Sequence, residues 1–259
     1  MQSKDLDKFH PIFIGDFARG RLIINRKQES LPLVLFHFRA SREHHFRAEC
    51  TAAVSHQVSV AQHDSARMTW LDAQDCAALE ARWSEPHRHY HGLNHLRECL
   101  ARFAEVCALA QDAEVVEAAL WFHDAIYDAR RTDNEARSAA LARTMLTPKG
   151  ISNEHIARVE AIILTTRHAA PSADADTQLT CDIDLAILGA DAERFDAYER
   201  DVRAEYAWVP MPIYRVKRAE ILMRFLASPR IYQTAHFHAL LNDAARDNLA
   251  HSLEVLRES

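Results

Sequence analysis

His123 and Asp124 are adjacent side chains that can both bind a metal ion, and they lie inside an apolar stretch of the chain. Neighbouring side chains on a helix diverge by roughly 100°, so the pair does not have the geometry of a surface salt bridge. A buried imidazole and a buried carboxylate each need a partner. One metal ion can serve both, because imidazole nitrogen and carboxylate oxygen are common metal ligands. The dipeptide has little specificity alone, so the hypothesis depends on further ligands.

Further candidate ligands lie on both sides of this pair. His91 and His95 are four residues apart, so they share one face if a helix begins by about residue 91. Asp182 and Asp184 follow later in the chain. Helical bundles build metal sites from inward-facing side chains of different helices. The order His, His-Asp, Asp is therefore typical of such a site. We favour Asp184 as the last ligand, while Asp182 can equally be a helix N-cap.

The elements that must position these residues are helices. The chain has only 5 glycines and 8 prolines in 259 residues, which favours long regular elements. Apolar residues recur at helical spacing from residue 70 onward. This pattern predicts an all-α fold with helices over about 70–83, 92–110, 113–127, 132–147, 153–167, 179–188, 191–206, 212–227 and 234–256. Gly189 is expected at the C′ position after the sixth helix.

Composition excludes several classes of protein. The net charge of −6 disfavours a nucleic-acid polymer as partner. The 5 cysteines include no C-x-x-C pair, which argues against a zinc ribbon and suits a reducing cytoplasm. No stretch approaches the roughly 20 apolar residues of a membrane helix, and the N-terminus lacks the plan of a signal peptide. We therefore expect a cytoplasmic protein with no membrane partner, and a homo-oligomer stays possible.

Residues 1–67 differ from the rest of the chain, because they are rich in histidine and have neither helical nor strand periodicity. We expect the folded domain to cover 68–259. Two explanations of the first 67 residues stay open: a disordered N-terminal extension, or a start placed too far upstream.

The motifs of this chain resemble those of the HD superfamily of metal-dependent phosphohydrolases, which is defined by an H…HD…D order. The resemblance covers about residues 83–257. Within the superfamily, the chain resembles in particular a bacterial branch of predicted HD phosphohydrolases. It implies an HD-domain-like helical bundle. The metal ligands that it implies are His95, His123, Asp124 and Asp184. The motifs that carry it are Arg88-His89-Tyr90-His91-x-x-x-His95, Phe122-His123-Asp124-x-x-Tyr127-Asp128, Asp133-Asn134-Glu135 and Asp182-x-Asp184-Leu185.

The opening motif is also similar to that of cyclic-nucleotide phosphodiesterases, in which the first histidine protonates the leaving oxygen. Here Gly92 replaces their usual asparagine. By this similarity His91 is the first candidate for the leaving-group acid, and Glu135 or Asp128 is the second. Each has a structural alternative: His91 can cap the helix, and Glu135 can form a capping box with Thr132.

Three basic residues are candidates for binding substrate phosphate: Arg88, His168 and Arg218. Arg88 is the nearest to the site in sequence. His168 can instead interact with a helix dipole or bind a second metal ion. Arg218 can instead belong to a solvated helix face.

Two imidazoles and two carboxylates suit a divalent ion of manganese, iron, cobalt, nickel or magnesium, and zinc is possible. Such an ion lowers the pKa of water and polarises a phosphoryl oxygen, and a nearby acid must then protonate the leaving alkoxide. We therefore expect a phosphohydrolase that acts on a nucleotide or another small phosphorylated metabolite. The alternatives are a phosphodiesterase for cyclic or dinucleotide substrates, and a non-catalytic metal-bound regulatory protein.

Overall fold

The computed structural model describes residues 70–258, which belong to one compact unit. This part of the chain is all-α, as predicted, and contains no strand. The expected N-terminal extension lies outside the described residues. The helices are α1 (Ala73–Trp83), α2 (Leu93–Val106), α3 (Ala113–Phe122), α4 (Asn134–Leu146), α5 (Asn153–Thr165), α6 (Ala175–Asp184), α7 (Ala192–Glu205), α8 (Met211–Ala227) and α9 (Ala235–Glu258).

Short polar side chains fix where most of these helices begin. Each accepts a hydrogen bond from a backbone N–H of the first turn, which would otherwise lack a partner. The capping residues of this kind are Asp72, Asp112, Ser152, Asp174 and Asp191. Because these caps are local, the sequence predicts most helices to within a few residues.

Three predicted details of the helices are wrong. α3 ends at Phe122 rather than 127, because the N–H of Ala125 bonds back to the carbonyl of Phe122 and the chain then turns away. The capping box of Thr132 with Glu135 does not form, since the N-cap of α4 is Asp133. Gly189 is not a left-handed C′ residue. It allows a close approach, because a Cβ there would lie 2.7 Å from Cβ of Leu241 on α9.

The core consists of two apolar clusters, and α2 and α3 contribute to both. Leu96 and Val115 belong to the cluster that is built mainly on α1, α3, α4 and α5. Phe103 and Leu120 belong to the cluster that is built mainly on α6 to α9. The histidine motifs lie on or beside α2 and α3, so the fold places them where the two clusters meet. No helix within residues 70–258 is long and apolar enough to cross a membrane.

Candidate metal centre and its cleft

Three helix termini bring the four predicted metal ligands together. His95 lies in the first turn of α2, His123 and Asp124 follow the last residue of α3, and Asp184 is the last residue of α6. The two histidines are almost completely buried. The carboxylates are only 15% (Asp124) and 14% (Asp184) exposed. Residues that are 89 positions apart in sequence therefore share one small polar site in the interior.

The distances in this centre fit the ligand shell of a single ion. Nε2 of His95 lies 3.2 Å from Nε2 of His123 and 3.0 Å from Oδ1 of Asp184. Nε2 of His123 lies 3.5 Å from Oδ1 of Asp184 and 3.6 Å from Oδ2 of Asp124. Two atoms each about 2.1 Å from one ion are about 3 Å apart when they subtend a right angle. The arrangement therefore has the size that a metal ion requires.

A backbone contact fixes the tautomer of His123. Its Nδ1 lies 2.8 Å from the carbonyl oxygen of Leu120 and can only donate to it. In the neutral ring the lone pair is then on Nε2, which faces the other three residues. The imidazole is held with its ligating atom toward the centre.

Cys99 is a member of this cluster that the sequence analysis missed. A group of four residues, His95, Cys99, His123 and Asp184, has ligand atoms within 4.8 Å of one another and could hold a metal ion. Sγ of Cys99 lies 3.8 Å from both ring nitrogens of His95. An atom equidistant from Nδ1 and Nε2 cannot lie along the lone pair of either, so Cys99 packs against the imidazole. The spacing of four residues from His95 could have predicted it, because residues four apart lie on one face of a helix.

The electrostatics of the centre favour a cation. Burial opposes protonation of His123, but the charges of Asp124 and Asp184 raise its pKa to about 9. Burial likewise works against the charged carboxylate of Asp184, yet the three histidines around it hold its pKa well below the usual value. The two carboxylates thus create a negative potential at Nε2 of His123, which favours a proton or a metal ion there.

Asp182 points away from this centre, although it lies only two residues before Asp184. Its two carboxylate oxygens accept from the backbone N–H groups of Gln233 and Thr234 and from the Thr234 hydroxyl, at 2.6–2.8 Å. It therefore anchors the start of α9 and does not cap α6, whose N-cap is Asp174.

Glu205, at the end of α7, organises the loop that carries His91. One oxygen accepts from the backbone N–H groups of His89, Tyr90 and His91 at 2.8–2.9 Å. The other lies 2.7 Å from Nδ1 of His91 and accepts from the Tyr127 hydroxyl at 2.9 Å. His91 does not cap α2, whose N-cap is Gly92. The sequence analysis missed Glu205, because nothing local links it to a loop more than 110 residues away.

Two of the predicted site residues lie elsewhere. Arg88 is buried, and its guanidinium donates to Glu85 and to the carbonyls of His91, Asp124 and Ala125. It ties the loop before α2 to the turn after α3, and its role in binding phosphate stays a prediction. The carboxylate of Asp128 accepts from the N–H of Arg130 and is not among the residues that line the cleft, so its role as an acid stays a prediction.

The other predicted residues, His91, Glu135, His168 and Arg218, line a cleft of about 110 Å³ together with Asp124 and Asp184. Nε2 of His168 lies 2.9 Å from Oδ2 of Asp184. Glu135 pairs with Arg167 at 3.2 Å. Arg218 is buried and pairs with Glu199 at 2.6 Å, so it is not part of a solvated face.

Tyr90 has an unusual hydroxyl in the wall of this cleft. The residue is 6% exposed, and its ring contacts those of His91, His95 and Tyr198. Within residues 70–258 its hydroxyl has no hydrogen-bond partner. An unsatisfied buried hydroxyl is costly, so this group is available to a ligand or to water.

Comparisons of the chain with protein-family models, with curated proteins and with solved structures returned no match. The functional argument therefore depends on the geometry of the site.

Proposed function

We propose that the chain is a metal-dependent phosphohydrolase of the HD type, which cleaves a phosphate ester of a nucleotide or of another small phosphorylated metabolite. The observation that carries the proposal is the convergence of His95, His123 and Asp184 at 3.0–3.5 Å, with Asp124 3.6 Å from His123, beside a cleft that Asp124 and Asp184 line. The same cleft contains a histidine bound to a buried carboxylate.

The four converging residues would hold one divalent ion. Their two nitrogen and two oxygen ligands suit manganese, iron, cobalt, nickel or magnesium, and zinc remains a candidate. When bound, such an ion supplies Lewis acidity and lowers the pKa of water at the phosphoryl group. Asp184 also contacts His168, which would keep the carboxylate oriented toward the centre.

His91 would act as the general acid that protonates the leaving oxygen. Its Nδ1 is engaged by Glu205, so Nε2 is the end of the ring available to the substrate. Burial lowers the pKa of His91, but the charge and hydrogen bond of Glu205 outweigh this and raise it. The imidazolium can thus persist near neutral pH and release its proton to a leaving alkoxide, as a carboxylate-oriented histidine does in other hydrolytic sites.

Glu135 is the second candidate acid, since it lines the cleft. Its carboxylate is paired with Arg167, so we give it the weaker role of orienting substrate or water.

A turnover screen tests this proposal. The full chain is stripped of metal, reloaded separately with manganese, cobalt, nickel, iron, magnesium or zinc, and assayed with phosphomonoesters and phosphodiesters. We expect hydrolysis with at least one metal and a loss of about 10²-fold or more in Asp124→Asn, because loss of a mere outer-shell partner of a metal ligand already costs about 10–100-fold. The matched control is Asp196→Asn, at an exposed aspartate on α7. Equal activity of Asp124→Asn and the wild-type chain would refute the proposal.

A further inference from the structure

A second pocket adjoins the proposed metal cleft. It shares three wall residues with the cleft, His168, Leu185 and Phe225. Its volume is about 360 Å³, against about 110 Å³ for the cleft. Small-molecule sites typically span about 300–1,000 Å³. The second pocket therefore offers more room for an organic group than the cleft does.

The walls of the second pocket differ in chemistry from those of the cleft. They are largely apolar, and the described residues that line them include no carboxylate. Two exposed arginines, Arg224 and Arg230, are the charged residues of its rim. The cleft, in contrast, contains three carboxylates. The main apolar lining residues are Ala169, Pro171, Leu185, Ile221, Phe225 and Ile231.

Gln233 provides one directed polar group in this pocket. Its Oε1 accepts from the backbone N–H of Ser172 at 2.8 Å, which fixes the orientation of the amide. Its own backbone N–H is held by Asp182. Within residues 70–258 the amide Nε2 has no hydrogen-bond partner, so it can donate to a ligand. An apolar pocket with a few well-placed polar groups is the usual form of a small-molecule site.

His168 forms the boundary between the two spaces. It is the one non-glycine residue with positive φ in the described part of the chain, at 51°. Such a conformation is unfavourable for a residue with a Cβ, and it concentrates at functional sites. The contact of Nε2 with Asp184 holds it in place. The wall between the cleft and the pocket is thus tied to the proposed metal centre.

We propose that the second pocket binds a largely apolar ring of the phosphate ester whose phosphoryl end lies in the metal cleft. This inference rests on the proposed phosphohydrolase function for its substrate. An aromatic ring and a nucleobase share this chemistry, and a base would additionally offer acceptors to Gln233.

The test compares ligands that differ in the organic group alone. Non-hydrolysable phenylphosphonate and methylphosphonate are titrated calorimetrically into the metal-loaded full chain. We expect phenylphosphonate to bind at least 10-fold more tightly. In Ala169→Phe, which fills the pocket, this preference should disappear, whereas Ala173→Phe, at an exposed residue of the same loop, should retain it. Equal binding of the two ligands, or an equal effect of the two variants, would overturn the inference.

A further arm separates the two kinds of ring. Gln233→Glu keeps an acceptor for Ser172 but removes the amide donor. If the ring is a nucleobase, this variant should bind adenosine 5′-monophosphate more weakly, and the loss should exceed that for phenylphosphonate. Phenylphosphonate is the control, because the added negative charge of the variant acts on both ligands. If both weaken alike, the ring is bound through apolar contacts alone. Selective phenylphosphonate binding without turnover of any ester would refute the phosphohydrolase and leave the pocket assignment intact.

Discussion

Glu205 binds His91 twice, through the backbone N–H at 2.8 Å and through Nδ1 of the ring at 2.7 Å. The ring also stacks on Tyr127, with centroids 4.2 Å apart. The position and the charge of this imidazole therefore both depend on one buried carboxylate at the end of α7.

The pair predicts a specific pH dependence. Burial lowers the pKa of His91, but Glu205 raises it above the value of about 6.5 in an unfolded chain. The stabilisation from the charged imidazole is therefore complete below about pH 6.5 and is lost as the pH rises through the folded pKa. Burial raises the pKa of Glu205, yet His91 and the loop N–H groups lower it to about 2, so its contribution is lost as the pH falls from about 4.5 toward 2.

In Glu205→Gln the pKa of His91 should fall, and the alkaline limb of the profile of kcat/KM against pH should move to lower pH. Unfolding in urea should show a loss of about 3 kcal/mol, because a buried ion pair loses one partner. Glu98→Gln, which removes an exposed ion pair with Arg194, is the control and should leave the profile unchanged. An unshifted alkaline limb in Glu205→Gln would contradict the assignment of His91 as the acid.

Tyr90→Phe should separate binding from stability. The hydroxyl has no partner among residues 70–258, so its removal should leave the free energy of unfolding unchanged or slightly higher. If the hydroxyl donates to substrate, KM for a phosphate ester should rise several-fold.

Tyr232→Phe is the matched control for Tyr90→Phe. Its hydroxyl donates to the carbonyl of Leu185 at 3.1 Å, so that variant should lose about 1 kcal/mol of stability with KM unchanged. A Tyr90→Phe protein that is clearly destabilised, with KM unchanged, would show that the hydroxyl serves packing alone.

Gly189 should be intolerant of a side chain. A Cβ at this position would lie 2.7 Å from Cβ and 2.8 Å from the carbonyl oxygen of Leu241. Backbone must move to relieve this, so thermal unfolding of Gly189→Ala should reveal a loss of about 1–3 kcal/mol. Gly150→Ala offers a contrast, since its Cβ meets nothing within 4 Å and only its φ of +75° is unfavourable, at about 1 kcal/mol. Similar losses in the two variants would argue against the close packing of Gly189 on α9.

The sequence predicts the helical class and most helix positions, because caps and apolar spacing act locally. It does not predict where α3 ends, since the turn after Phe122 depends on Arg88 holding the carbonyls of Asp124 and Ala125 from 36 residues away. The sequence also does not predict the directions in which the side chains of Asp182 and Asp184 point, because these directions follow from the rotation of α6 against α9. Glu205 was missed for the same reason, as its role exists only after α7 packs against the loop.

Resemblance to the HD pattern names candidate ligands but cannot assign the neighbouring polar residues. Arg88 and Asp128 both belong to the motifs, yet their side chains serve the backbone around the site. His168, in contrast, lies outside those motifs and contacts Asp184 directly. Within one motif, some side chains thus hold the backbone around the site, whereas others face the ligand.

Elemental analysis of the purified full chain shows whether a divalent ion is bound between α2, α3 and α6, as we propose. The wild-type chain and two variants, Asp184→Asn and Asp182→Asn, are each loaded with the metal that gives the highest occupancy and then dialysed. We expect stoichiometric metal in the wild-type chain, its loss in Asp184→Asn, and its retention in Asp182→Asn, which should only be less stable because its carboxylate anchors α9. Metal retained in Asp184→Asn, or no metal in the wild-type chain under any loading condition, would contradict the proposal.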